Sequence, residues 1–343
     1  MIRKLLALLI PAAMALGLAA PAPAAAGTLD TIKERGKLLC TGHNGSYLGF
    51  AEVDDKGAWK GFDIEFCKAL ATAILGSPDK LQVIPVSWAQ RFPAIQSGDI
   101  DVIIKVTGWT MSRDTELGLQ YSRPYFLGPF LLMTRKELGA KSAADLAGGV
   151  FCVNAGTTVE RVLADYMESK GIEYESLTFE KGEELRAALY AGRCDALPGF
   201  GPFLAATRAN APNPDDFVYL DDTLALEPEG IVVRQGDDDF LDVINWMVSA
   251  LIMAEENGIT QANVDEMRAK PKSATMERLL GVSPGIGKRL GLSDDWAYNV
   301  IKAVGNYGEI YERTIGSGSP YKMPRGLNKL WRNGGLLYPL VLD

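Results

Sequence analysis

A single histidine, His43, serves the entire 343-residue chain. Its scarcity nearly removes histidine-based catalysis, for which His43 is the one available base, and removes His-rich metal sites from consideration. Cysteine is nearly as rare. Cys40, Cys67, Cys152 and Cys194 are the whole complement, and no two form a Cys-x-x-Cys ligand pair. A four-cysteine zinc site is therefore disfavoured. Runs of basic residues are also missing, and 35 Lys and Arg against 43 Asp and Glu leave a net charge of −8. Nucleic acid and anionic membrane surfaces are poor partners for such a chain. Past the N-terminal segment, no apolar stretch is long and unbroken enough to span a bilayer.

The N-terminal segment reads as a signal peptide over 1–26. Arg3 and Lys4 form a positive start, an apolar stretch runs from Leu5 to Ala20, and Ala24-Ala25-Ala26 offers a small-x-small cleavage site after Ala26. A membrane anchor is the rival reading, but Pro11 breaks the stretch and no cysteine stands near the cleavage site for a lipid. The mature chain is expected to be soluble and outside the cytoplasm. Its 317 residues, with 33 basic and 43 acidic, suit about two domains. In an oxidising compartment an even cysteine count favours disulfides, and the spacing suggests two local pairs, Cys40–Cys67 and Cys152–Cys194.

Short apolar strands alternate with amphipathic helices, which signals an α/β fold. Strands are predicted at 38–40, 81–86, 101–104 and 150–153, and one beginning at Asp195. Helices are predicted over 62–74, 91–96, 183–191 and 240–254, with another running from the 154–158 segment through Met167. The run Ala94 to Asp101 and the run Ala188 to Asp195 both read helix, glycine cap, two residues, aspartate, strand. That correspondence suggests two lobes of related build. Two apolar segments, 130–133 and 230–233, are placed to be crossover strands forming a hinge. The resulting division is a first lobe over 27–133, a second over 134–230, and a return to the first over 231–343. The return carries a mainly helical C-terminal extension whose motif Val304 to Glu309 is expected to pack around the first lobe.

Four elements give the chain a family likeness: Gly61-Phe62-Asp63-Ile64-Glu65, Trp88-x-x-Arg91, Thr110 to Asp114 ahead of Tyr121 to Tyr125, and Gly156-Thr157-Thr158. Together they resemble the polar amino-acid family of periplasmic solute-binding proteins, and more narrowly the general amino-acid-binding subfamily of ABC importers. Trp109-Thr110, Ser112-Arg113-Asp114, Ala191 to Asp195 and the 304–311 tail carry the narrower match. The resemblance implies a type II periplasmic-binding-protein fold with two hinge strands. It implies a periplasmic monomer that closes on a small carboxylate and docks to an inner-membrane ABC permease, without cofactor, metal or catalysis.

The residues suit that reading. Arg113 offers a bidentate guanidinium fork for a carboxylate, with a surface ion pair to Asp114 or Glu116 as its plainer alternative. Gly156-Thr157-Thr158 opens a helix, where free N–H groups and the helix dipole favour an anion, although simple capping by Thr157 or Thr158 is also consistent. The resemblance makes Tyr47 and Trp88 aromatic walls, and Thr107 and Gly108 sources of main-chain contacts. It also marks two departures. Phe200 stands where family members usually place the aspartate that pairs with the ligand's ammonium, and Asn44 stands where a second acid can occur. An unpaired ammonium in a closed cleft costs on the order of several kcal/mol, so ordinary L-amino acids are expected to bind weakly. Three ways out remain open: a ligand without a primary ammonium, a methylated cation held by Phe200, Tyr47 and Trp88, or a substitute acid, with Glu229 first. The Pro198-Gly199 pair also leaves open a shift of the loop that would move the position itself.

Two other functions compete with solute capture. A dehydratase-like enzyme on this fold would need a cleft acid or base, for which Glu229, Asp63 and Glu160 are available, but no acid–base pair stands at diagnostic spacing. A periplasmic accessory protein with an altered cleft is the third possibility.

Overall fold

Nine strands position the site in the structure, a computed structural model that describes residues 27–44 and 47–343. The signal-peptide assignment lies outside the described residues. In the first lobe, β1 (Leu38–His43) pairs in parallel with β2 (Leu81–Val86), and Cys40 bridges to Val102 just ahead of β3 (Ile103–Gly108). The apolar run of β3 is buried along its whole length, as a central strand covered on both faces requires. β4 (Leu119–Tyr121) follows it in the chain. In the second lobe, β6 (Val150–Asn154), β7 (Glu175–Phe179) and β8 (Ala196–Phe200) form a parallel group.

Two long strands, β5 (Phe126–Arg135) and β9 (Phe217–Arg234), join these halves. They pair antiparallel with each other from Phe217 opposite Arg135 to Glu229 opposite Phe126. The Phe217 end of β9 belongs to the second lobe, while its Arg234 end pairs with β3 and β4 in the first. Both hinge strands therefore run well beyond the segments 130–133 and 230–233 predicted for them. Pro129 faces Leu226 and Pro228 faces Leu127 where the ribbon passes between lobes. Neither proline has an N–H to give to the ladder.

Helix α1 (Phe62–Leu75) ends at Gly76 in the left-handed conformation, one residue later than the apolar spacing predicts. The strands predicted to begin at Asp101 and Asp195 begin at Ile103 and Ala196 instead. Each aspartate is committed locally. Asp101 Oδ2 accepts from the Leu39 N–H at 2.8 Å, and the Asp101 N–H donates to Leu39 O. Asp195 does the same with Val150, accepting at 2.8 Å and donating from its own N–H. The two runs matched in the sequence thus make the same reciprocal clamp on the first strand of their lobes, Leu39 in β1 and Val150 in β6.

Disulfides join Cys40 to Cys67 and Cys152 to Cys194, so each links elements within one lobe. The extension packs on the first lobe. Tyr307 sets its ring edge-on to Phe62 and Phe66 and donates its hydroxyl to Tyr125 O at 2.8 Å, while Asn306 and Glu309 form a capping box.

Candidate functional site

Between the lobes lies a cavity of about 30 Å³ lined by Tyr47, Trp88, Arg91, Val106, Gly108 and Arg113 from one side. Asn154, Thr157, Thr158, Val159, Pro198, Gly199, Phe200 and Phe203 line the other. A space of that size holds one water and no amino acid, so the lobes or their rings must part for a solute to enter. A larger recess of about 610 Å³ lies behind the hinge, between the extension and the helix Gly201–Ala209, and is walled mainly by prolines, tyrosines and aliphatic groups.

The lobes meet across this cavity. The Tyr47 ring stacks on Phe203 at 5.1 Å and on His43 at 4.9 Å, with Trp88 edge-on to Tyr47. Thr158 Oγ1 donates to Glu227 Oε2 at 2.8 Å. Thr157 is the N-cap of the helix Thr158–Lys170, yet its hydroxyl donates to Asn154 O instead of capping the helix. The first N–H groups of that helix therefore face the cleft without a side-chain cap.

Arg113 sits on the short helix Met111–Glu116, held by Nη1 to Gly108 O at 2.9 Å. Among the described residues it forms no ion pair with Asp114 or Glu116. Arg91 is buried where the helix Arg91–Ser97 starts. It donates from Nη1 to Trp88 O and, at 3.4 Å, to Gly156 O, while its Nε has no partner. The ring of Phe92 carries both cations, with Arg91 Cζ 4.2 Å and Arg113 Cζ 5.2 Å from its centroid. Burial, then the charge of Arg113, lowers Arg91 to about 9.

Of the ten residues singled out in the sequence, seven line the cavity: Tyr47, Trp88, Gly108, Arg113, Thr157, Thr158 and Phe200. Thr107 does not. Alternation along β3 turns it inward, where its hydroxyl donates to Lys105 O. Asn44 is half-buried and off the wall, and Glu229 lies behind Gly108, its register partner. Phe200 ends β8 with an unbroken register against β5. Two charged groups escaped sequence reasoning. Arg91 was visible as a cation at a helix start, where the dipole disfavours one, and Glu227 as half of an i, i+2 acid pair on a buried strand.

A relay holds the floor of the cavity. Val106, a β-branched residue at φ +35°, gives its N–H to Tyr125 Oη at 2.9 Å, and the Tyr125 hydroxyl donates to Asp63 Oδ1 at 2.7 Å. Such a backbone conformation persists only when its surroundings fix it. Asp63 is fully buried, and desolvation raises it from 3.8 to about 7. In the unfolded chain this carboxyl releases its proton near 3.8, whereas the folded protein keeps it to about 7. Its contribution to stability is therefore complete below about 4, declines between 4 and 7, and is lost above. Asp63→Asn keeps the acceptor for Tyr125 and should flatten that decline, leaving the variant as stable as the parent or more so at pH 8. Melting curves from pH 4 to 8 test this, and a variant with the parent's slope would contradict it.

Four known relationships bear on this site. Residues 39–261 match the family model for bacterial extracellular solute-binding proteins, family 3. The chain is 46% identical over 338 residues, 98% of either chain, to the general L-amino acid-binding periplasmic protein AapJ of Rhizobium johnstonii. It is 41% identical over 315 residues, 92% of this chain and 93% of the relative, to the glutamate/glutamine/aspartate/asparagine-binding protein BztA of Rhodobacter capsulatus. Among solved structures, a periplasmic binding protein of Brucella ovis with glutathione bound superposes with a TM-score of 0.88 at 46% identity. That match covers 92% of this chain and 99% of the other.

Proposed function

For this chain, which belongs to the bacterial extracellular solute-binding proteins of family 3, we propose capture of an acidic or amide L-amino acid between the lobes and its delivery to an ABC permease. The observation that carries this is the pairing across one cavity of a free guanidinium, Arg113, with the uncapped start of the helix Thr158–Lys170. A carboxylate placed there meets charged donors from one lobe and N–H and hydroxyl donors from the other, so it draws the lobes together. Arg91, whose Nε is unpartnered, offers a second guanidinium for the ligand's side chain. The relatives' ligands, L-amino acids in AapJ and glutamate, glutamine, aspartate and asparagine in BztA, agree with that chemistry. Glutathione, bound by the Brucella ovis protein, likewise carries an α-amino acid head.

The protein works as a periplasmic monomer after removal of residues 1–26, swinging on β5 and β9, with lobes divided near 133 and 230. Binding and release suffice, and a bound solute should return chemically unchanged. A second reading rests on the rings of Tyr47, Trp88, Phe200 and Phe203, which together suit a methylated cation such as a betaine.

The test is a melting-temperature panel of L-glutamate, L-aspartate, L-glutamine, L-asparagine, L-arginine, glutathione and glycine betaine. Ligand at 100 times Kd stabilises by about 2.7 kcal/mol, a rise of roughly 5 °C or more. A rise with the acidic or amide amino acids supports the proposal. A rise with glycine betaine alone moves the assignment to the second reading, and no rise with any compound rejects both.

A further inference from the structure

Resting on the amino-acid reading above, we propose that Glu227 and Glu229 together form the acceptor for the ligand's primary ammonium, a site moved from the end of a second-lobe strand to the hinge. Two residues apart on β9, their side chains leave the strand on one face. Gly108 makes room for the first. A Cβ at that position would stand 2.1 Å from Glu227 Oε1, so the carboxyl occupies the space a side chain would fill. Gly128, the register partner of Glu227, makes room in the same way for the Phe200 ring, whose Cδ1 would stand 2.2 Å from a Cβ there. The acid and the aromatic ring are thus each seated on a glycine.

Glu229 supplies the independent sign of a missing partner. It has no solvent exposure, and its carboxyl has no hydrogen-bond partner beyond the neighbouring Glu227 carboxyl. Burying a polar group without a hydrogen bond costs several kcal/mol, and an isolated charge far more. The groups within electrostatic reach are Glu227 on the same strand, Arg113 and Asp63 on neighbouring helices, Tyr121 at the end of β4, Tyr125 just ahead of β5, and the cavity residues Tyr47 and Arg91. Arg113 and Arg91 each give one Nη1 to a carbonyl, Gly108 O and Trp88 O, and among the described residues neither forms a hydrogen bond or ion pair with Glu227 or Glu229. The acid pair therefore keeps capacity for one further cation, delivered from the cleft.

Before that cation arrives, burial and the Glu227 charge hold the Glu229 carboxyl well above the usual carboxylate range, so the pair keeps a proton. A primary ammonium brings three N–H donors to the two carboxyls and displaces that proton to solvent. A 2-oxo acid brings no donor and leaves the pair unsatisfied, and a trimethylated cation brings charge without N–H.

The experiment is titration calorimetry of the purified protein with L-glutamate and with 2-oxoglutarate, which replaces the amine by a ketone. The parent should bind L-glutamate at least 100-fold more tightly. Glu229→Gln and Glu227→Gln should each weaken L-glutamate at least 10-fold and 2-oxoglutarate little. Glutamine copies the shape of a protonated glutamate, so ligand-free Glu229→Gln should melt close to the parent. The parent's heat of L-glutamate binding should differ between phosphate and Tris by the release of about one proton, and this difference should vanish in Glu229→Gln. Unchanged L-glutamate affinity in both variants overturns the proposal. So does a parent that prefers 2-oxoglutarate, which leaves the carboxylate site standing, whereas a parent that binds neither compound removes both readings. If Glu229→Gln fails to fold, Glu227→Gln and the parent's buffer dependence decide.

Discussion

Arg113→Lys is expected to weaken ligand binding about 100-fold or more, equivalent to roughly 3 kcal/mol, with little change in the stability of the empty protein. The guanidinium does two things at once: Nη1 is fixed to Gly108 O, and the rest of the fork faces the cleft. A lysine keeps the charge but has no rigid fork with which to hold the backbone and a carboxylate together. It also loses the guanidinium's placement 5.2 Å from the centroid of the Phe92 ring. The helix that carries Arg113 is short and half-exposed, so the fold should tolerate the change to within about 0.5 kcal/mol. Calorimetry on a ligand from the panel measures this, and an affinity within threefold of the parent would exclude Arg113 as the principal carboxylate contact.

The second large effect concerns stability alone. Removing the Cys152–Cys194 bond by a double serine substitution frees a loop spanning a separation of 42 residues. The chain-entropy relation gives a loss of about 4 kcal/mol. The Cys40–Cys67 bond, at a separation of 27, is worth about 3.5 kcal/mol by the same relation. Both cystines lie inside single lobes, so ligand affinity measured on the folded variant should change far less than stability. Denaturant unfolding of each double variant checks the ledger. A loss below 1 kcal/mol in either would mean that the surrounding core alone holds that lobe together.

Much of the fold was legible because its signals are local. The apolar spacing of 62–74, closed by Gly76, could form little else than a helix, and the paired cysteines kept their sequence neighbours as partners. The hinge strands were read too short because the polar and proline-bearing stretch Leu226-Glu227-Pro228-Glu229 lacks the apolar run that marks a buried strand. In the structure those carboxyls are buried, Glu227 accepting from Thr158 and Glu229 set beside Glu227. For the same reason Glu227 and Arg91 were missed as site residues: a sequence shows a charge, but not that folding withdraws it from water. The side chain of Thr107 turns inward by alternation within β3, which concerns its hydroxyl and not the main-chain contact expected of it. The expectation that ordinary amino acids bind weakly rested on Phe200 and Asn44, and the acid pair proposed on β9 would supply the acceptor that those two positions lack.

Pro129 and Pro228 give the ribbon of β5 and β9 a mechanical character. A two-stranded antiparallel ribbon is stiff to stretching and to bending in its own plane, and compliant in twist. Its stiffness comes from its hydrogen-bonded rungs, and each proline removes a donor where the chain passes between lobes. Twist should therefore concentrate over the few residues around Pro129 and Pro228, while the cystine-braced bodies on either side turn as rigid levers. Glu227 and Glu229 sit on this compliant stretch itself. Charge arriving at the ligand site would act at the fulcrum of the motion, with almost no lever arm, whereas Arg113 and the Thr158–Lys170 helix pull at its ends.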